Sequence, residues 1–398
     1  TVSVLYWKVP SIVPMGGLLP RAEGAATAVF LSTAVGAAAW SYLGKAISPV
    51  QAVACVTAWV WLQRLCASGF ATWTVLPLWH SGPSLAGKVF VVTGANTGIG
   101  YWTAAQLHRQ GATVVITTRK EAVGRATVTS LRNVSGGTAP IHALRLELGD
   151  PESVKAFPAA YEALRLGAPI TCLINNAGAF GYPAVENTDG SVVTVESRFD
   201  GVELTMGCNA LGPWLLSEKC RRLLDPKHGR VVFLGSAAHR IVKTRAALEE
   251  VLAAATDKQA LQSGEVPSLG KQFELYGVSK YVNIVNARVF WKRHQIPAAS
   301  VHPGVVLTDF ARNMPAIFGV LMKNPVAMAL LSLLGKTSYE GALTTVRCAT
   351  APSIANGHYY ADQREHNGFL SPAARDVAND APIVEWVRNQ LAPHLPTA

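Results

Sequence analysis

The chain has 398 residues, 49% hydrophobic and only 15% charged, with a formal net charge of +10 at pH 7. That is long enough for one large α/β domain plus further segments, and more apolar than an ordinary soluble enzyme. No basic run carries interleaved aromatics, which excludes nucleic acid as the expected partner; mild attraction to anionic lipid head groups fits better. Six cysteines (Cys55, Cys66, Cys172, Cys208, Cys220 and Cys348) are scattered, with no CxxC and no Cys/His pairing at zinc-ligand spacing. Neither a disulfide framework nor a metal site is expected.

The apolar excess lies at the front. The first 85 residues hold four basic side chains (Lys8, Arg21, Lys45, Arg64) and one acidic, Glu23. Residues 24–43 form an uncharged run of 20. At about 1.5 Å per helical residue it spans roughly 30 Å, the hydrocarbon thickness of a bilayer. A second uncharged run, 46–63, contains Trp59 and Trp61, which suit the membrane–water interface. The first run lacks a short apolar core with a clear cleavage site, and more apolar chain follows it, which argues against a signal peptide. The expectation is an α-helical membrane hairpin within 1–85; helices buried against a partner protein are the alternative.

From Lys88 the pattern changes to short β-branched runs separated by helix-sized stretches. Strands are predicted at 89–93, 113–118, 142–147, 171–175, 230–234 and 298–302. Alternation of this kind implies right-handed βαβ units and a doubly wound, Rossmann-like parallel sheet over 86–398. After the first strand comes TGANTGIG, with glycines at 94, 98 and 100, and then a helical stretch to Gln110. A glycine loop between strand and helix aims backbone N–H groups at phosphate. Gly94 permits the sharp exit, Gly98 the close approach of a pyrophosphate and Gly100 tight helix–strand packing. Asn96, Thr97 and Ile99 complete the candidate loop.

Further motifs follow in order: NNAG at 175–178, GS at 235–236, YGVSK at 276–280 and HPGVV at 302–306. Together they resemble the short-chain dehydrogenase/reductase family over about 86–390. GKVFVVTGANTGIG, CLINNAG, NALGPW and GHYYADQ (357–363) are similar to its membrane-linked retinol dehydrogenase-like branch.

Hydride transfer between a carbonyl and a nicotinamide needs a proton donor at the developing alkoxide. A tyrosine, with an ordinary pKa near 10, needs help to serve near neutral pH. Lys280 lies four residues after Tyr276 on the same helical face, so its charge is expected to favour the tyrosinate. Ser236, at a strand end, is expected to hydrogen-bond the substrate oxygen beside Tyr276. The resemblance adds roles for other residues. It implies that Lys280 also bonds the nicotinamide ribose and that Asn209 holds a water for a proton relay. It implies further that Asn175, Asn176, Ala177 and Gly178 brace the sheet and border the cofactor. It places Glu147 and Leu148 near the adenine, and Pro303, Gly304 and Thr308 around the nicotinamide end.

Which nicotinamide binds is decided after the second strand. An acidic residue there would bond the ribose 2′-hydroxyl, but the chain reads Thr117-Thr118-Arg119-Lys120. Two cations and no carboxylate point to NADP(H) rather than NAD(H). Tyr101 and Trp102 after the loop remove one possible phosphate contact. Glu147 replaces the family's usual aspartate. The stretches 182–200 and 240–272 look inserted, the latter holding a predicted helix and loop at 246–266. Apolar 314–335, with Lys323 at its middle, lies where the family keeps its substrate flap.

Two functions are carried forward. One is a membrane-anchored NADP(H)-dependent oxidoreductase acting on a lipophilic alcohol or carbonyl, alone or as a homodimer. The other is an accessory subunit of a multi-subunit membrane complex that retains the fold and a nucleotide. Endoplasmic reticulum and mitochondrial inner membrane both stay open as the integral-membrane location.

Overall fold

Strand β1 (Val89–Val92) is a run of four fully buried residues, Val-Phe-Val-Val. Unbroken apolar runs of this kind fit a parallel strand covered on both faces, where alternation would expose half the side chains. A computed structural model describes residues 84–181, 196–304, 306 and 336–395. The membrane hairpin, most of the 182–200 insert, Thr308 and the apolar flap at 314–335 lie outside these residues. Among the described residues no helix is long and apolar enough to cross a membrane.

Five more strands follow the predicted order: β2 (Thr113–Thr118), β3 (Ile141–Arg145), β4 (Ile170–Asn175), β5 (Arg230–Leu234) and β6 (Ala298–His302). Two further strands, β7 (Tyr359–Ala361) and the two-residue β8 (Arg364–Glu365), were not anticipated as strands. The eight-stranded sheet runs β3-β2-β1-β4-β5-β6-β7-β8. β1 through β7 pair in parallel and β8 turns back antiparallel on β7. The chain leaves β3 at one edge and re-enters as β4 beside β1. That reversal opens a crevice at the carboxyl ends of β1 and β4, the position where ligands bind in open α/β sheets.

The main covering helices are α1 (Gly98–Arg109), α2 (Glu121–Ser135), α3 (Pro151–Glu162), α4 (Gly212–Cys220), α5 (Arg245–Ala254), α6 (Leu269–His294), α7 (Ser338–Thr350) and α8 (Asp380–Leu391). Their ends follow local chemistry. Asp150 caps α3 by accepting from the N–H groups of Glu152 (3.0 Å) and Ser153 (3.3 Å), with Pro151 in the first turn. α2 stops at Gly136, which takes the left-handed φ of 65°. Thr337 and Glu340 form a reciprocal capping box on α7.

The stretch expected to be a helix and loop is instead two helices, α5 and a short turn at Lys258–Gln262. Leu248, Val251, Leu252 and Leu261 bury there, so the segment is fastened to the domain by its apolar side chains. Residues 269–272 belong to α6, whose 26 residues carry both Tyr276 and Lys280.

Candidate active site

The glycine loop is held from behind by the NNAG segment. Asn176 donates through Nδ2 to the carbonyls of Thr93 (2.8 Å) and Gly94 (3.3 Å). The Ala177 N–H donates to Thr93 Oγ1 at 2.9 Å. A Cβ on Gly94 would stand 2.8 Å from the Ala177 Cβ, and Gly94 has a φ of +62°. A Cβ on Gly100 would collide with the Asn176 amide and lie 2.6 Å from the Gly94 carbonyl oxygen. Both positions therefore exclude a side chain. The side chain of Asn176 is used in holding the loop rather than turned toward a ligand.

Asn96 and Thr97 are exposed at the tip, with Gly98 and Ile99 partly so. Thr97 is the residue before α1, but its hydroxyl makes no capping bond, and the first turn of α1 has no acidic side chain. The N–H groups of that turn are thus left for an anion, which fits the pyrophosphate of a dinucleotide. Tyr101 and Trp102 point into packing. The Tyr101 hydroxyl hydrogen-bonds Ser130 Oγ at 2.7 Å, and Trp102 sits edge-on to Tyr339 at 5.4 Å.

At the far end of the crevice, Arg119 and Lys120 are exposed beyond β2. Glu147 is partly buried, its backbone N–H donating to Ser153 Oγ at 3.0 Å, and Leu148 is buried. The Cys208 thiol is packed against Gly149, and burial pushes it up to about 12. Glu147 and Glu203 act in the same direction and Arg119 opposes them, so these groups share one electrostatic neighbourhood.

Around Tyr276 the structure gathers the other candidates. Ser236 lies two residues past β5 as the cap of a short 3₁₀ turn, its Oγ accepting from the Ala238 N–H at 3.1 Å. The same hydroxyl hydrogen-bonds Tyr276. Lys280 Nζ lies 5.5 Å from the Tyr276 ring centre and donates to the Leu234 carbonyl at 3.1 Å. Gly178 passes directly over this amine, since a Cβ there would be 3.1 Å from Nζ.

Asn209 sits in a π-helical turn, Gly207–Leu211. Pro213, four residues on, has no N–H to give its carbonyl. Asn283 Nδ2 donates to that oxygen instead, at 2.9 Å. Three hydrogen bonds hold the Asn209 side chain. Its Oδ1 accepts from the Ala179 N–H (2.7 Å), and Nδ2 donates to the Ala179 carbonyl (2.8 Å) and Ser279 Oγ (3.2 Å). With both amide N–H donors used, Asn209 could serve a relay water only as an acceptor.

Burial opposes the expected acidifying effect of Lys280 on Tyr276. Burial raises the phenol well above its ordinary value and outweighs the opposing hydrogen bond from Ser236. Burial also lowers Lys280 to about 8, which still leaves it mostly charged near neutral pH. The sequence spacing is right, but desolvation dominates both groups.

Pro303 and Gly304 follow β6, Gly304 with a φ of +94°. A Cβ there would come 2.7 Å from Lys336 Cδ, and Lys336 is ion-paired with Asp362. Sequence reasoning missed Lys336, Asn283, His239 and the pair Phe180 and Phe273. Phe180 packs on Phe273 (4.7 Å between ring centres) and edge-on to Tyr276 (5.5 Å). Asn283, three residues after Lys280 on a helix, was detectable by spacing alone.

With this geometry in place, comparison is informative. The family model for short chain dehydrogenases matches residues 88–247. Mouse retinol dehydrogenase 12 is 34% identical over 284 residues, covering 70% of this chain and 78% of its own. Bovine dehydrogenase/reductase SDR family member 13 is 32% identical over 302 residues, covering 74% and 70% respectively. The Pseudomonas aeruginosa RhlG/NADP active-site complex aligns with a TM-score of 0.50 at 22% identity, over 72% of this chain and 97% of that one, and shares the fold. The chain is a member of the short-chain dehydrogenase/reductase family, in its retinol dehydrogenase-like branch.

Proposed function

We propose that this oxidoreductase uses NADP(H) to interconvert a lipophilic alcohol and its carbonyl compound, working from a membrane anchor. The reading rests above all on one observation: the Ser236 hydroxyl is bonded to Tyr276, with Lys280 buried beneath them. The cofactor fits the residues present. Gly94 and Gly100 admit no side chain, which keeps the loop tight, and the first turn of α1 offers N–H groups with no side-chain cap. Exposed Arg119 and Lys120 suit a 2′-phosphate, which a guanidinium grips bidentately.

The nicotinamide supplies or accepts the hydride; the chain's own groups handle the oxygen and its proton. Ser236 holds the substrate oxygen by a hydrogen bond and sets it beside the Tyr276 hydroxyl. In the reducing direction Tyr276 gives its proton to that oxygen as negative charge develops there. The buried phenol holds its proton at neutral pH, and its raised pKa makes it a weaker acid, which the ammonium of Lys280 must offset. Lys280 then supports the phenolate left behind by facing it with an ammonium, which its value of about 8 keeps largely protonated at neutral pH.

Two features support a lipophilic substrate. Phe180 packs edge-on to Tyr276 and against Phe273, which is 37% exposed. Ile241 (47% exposed) packs over Gly277, the residue after Tyr276, and Leu269 (39% exposed) lies one turn before Phe273. The anchor is proposed from the sequence of 24–43 and 46–63 alone.

The test is NADPH consumption by the purified full chain with a hydrophobic aldehyde in detergent. The expected result is turnover that is faster with NADPH than with NADH and faster with long-chain than short-chain aldehydes. A chain that binds NADPH yet reduces none of a panel of hydrophobic aldehydes and ketones would contradict the reading.

A further inference from the structure

Behind Ser236 lies a histidine that the reaction scheme does not use. His239 is fully buried in the 3₁₀ turn that follows β5. Its Nδ1 is 2.5 Å from the Ser236 backbone carbonyl oxygen. Its Nε2 is 3.2 Å from the backbone N–H of Ser371. A carbonyl can only accept and an N–H can only donate, so the two contacts assign the tautomer: Nδ1 carries the proton and Nε2 is the acceptor. Burial lowers the ring's pKa to about 4, in keeping with a neutral imidazole that has one donor and one acceptor. The ring edge also lies against Tyr359, 5.4 Å between centres.

These contacts close a circuit. Ser371 caps the short helix Pro372–Arg375, and the Ala373 carbonyl of that helix accepts from the Tyr281 hydroxyl at 2.7 Å. Tyr281 lies on α6, five residues beyond Tyr276. Following the bonds, Tyr276 is joined to Ser236, Ser236 through its carbonyl to His239, His239 to Ser371, and the 371–373 segment back to α6. Each half of the catalytic pair is therefore tied to one C-terminal segment more than 90 residues away from either in sequence.

We infer that His239 is a positioning residue: it fixes the backbone of Ser236 relative to α6, and so the distance between the Ser236 and Tyr276 hydroxyls, through the segment around Ser371. This rests on the oxidoreductase reading above for its catalytic consequence, though not for its geometry. The Nδ1 donor is the half of the ring that acts on Ser236; the Nε2 acceptor anchors the ring.

Two isosteric substitutions separate the halves. His239→Asn places its amide nitrogen near the Nδ1 position and can still donate to the Ser236 carbonyl. His239→Gln places its amide near the Nε2 position and can accept from Ser371, but loses the donor. In NADPH-dependent aldehyde reduction, His239→Gln is expected to lower kcat about tenfold or more, and His239→Asn to stay within about threefold of the wild type. NADPH affinity, read by fluorescence titration, should stay within about twofold in both, because neither contact touches the glycine loop. Equal losses in the two variants, or losses that track NADPH affinity and unfolding temperature, would overturn the inference in favour of a packing role. If the wild type reduces nothing, the oxidoreductase reading fails, and crystal structures of the two variants still decide the positioning role. Ser236 Oγ should remain within hydrogen-bond reach of Tyr276 in His239→Asn and move out of reach in His239→Gln. Unchanged Ser236 positions in both would refute it.

Discussion

The two sides of the crevice are built by different means. On the β1–β4 side the glycine loop is shaped by backbone: Gly94 and Gly100 fit because no side chain can, and the Asn176 amide pins the turn to β1. On the β5–α6 side the reactive groups are held by side chains reaching across the fold, from Asn283 to Asn209 and from Ser236 to Tyr276. A backbone cradle is rigid and indifferent to charge. A side-chain network sets protonation, and there burial decides the outcome, raising Tyr276 and lowering Lys280. The two halves should therefore fail separately under mutation: one in nucleotide affinity, the other in turnover.

The largest break is expected at Tyr276. Tyr276→Phe removes the proton donor and keeps the ring against Phe180, so kcat should fall about 10²–10⁴-fold with NADPH affinity nearly unchanged. Stopped-flow NADPH oxidation alongside a nucleotide titration checks both numbers. On the other side, Gly94→Ala puts a Cβ 2.8 Å from Ala177 at a φ of +62°. It should weaken NADPH binding at least tenfold and cost about 1–3 kcal/mol of stability, measurable by calorimetry and denaturant melts. Arg119→Ser sharpens the comparison, since an exposed side chain can be lost without repacking. KM for NADPH should rise about tenfold while KM for NADH stays level, as expected for one lost charge-assisted contact to phosphate.

Much of this was legible in the sequence, for reasons that particular residues make plain. β1 to β6 are runs of four to six residues with strong β-branched or apolar character, and their boundaries fall within two residues of those expected. β7 is three residues long and finds its partner, β6, only through the fold, as the pairing Ser300 with Tyr359 shows. Its identity as a strand has no local signature. Ser236, Tyr276 and Lys280 were found because their chemistry travels with short motifs. His239 was not, because what gives it meaning is the N–H of Ser371, 132 residues later. The desolvation of Tyr276 is hidden from the sequence for the same reason. Spacing on a helix reveals a neighbouring ammonium, but only the packed structure reveals how little water reaches the phenol.

The smallest expected effect is on stability against pH. His239 and His302 are lowered by burial from 6.5 to about 4. Between those values the unfolded chain binds more protons than the folded one, so stability present above pH 6.5 is lost as pH falls toward 4. The unfolding temperature should drop as pH falls over that window, and His302→Gln should flatten part of the slope. Lys280, lowered from 10.5 to about 8, has the same sign at the alkaline end: stability should rise between pH 8 and 10.5 from this group.

The claim at the centre is that Ser236 and Tyr276 act on one oxygen as one hydrogen-bonded unit. The most direct test is the turnover of Ser236→Ala, Tyr276→Phe and the double variant, measured at saturating NADPH. The double variant should be no slower than Tyr276→Phe by more than about threefold, because groups that work as a unit are strongly non-additive. Losses that multiply across the two substitutions would mean that the hydroxyls contribute independently, and the proposed proton transfer would be wrong.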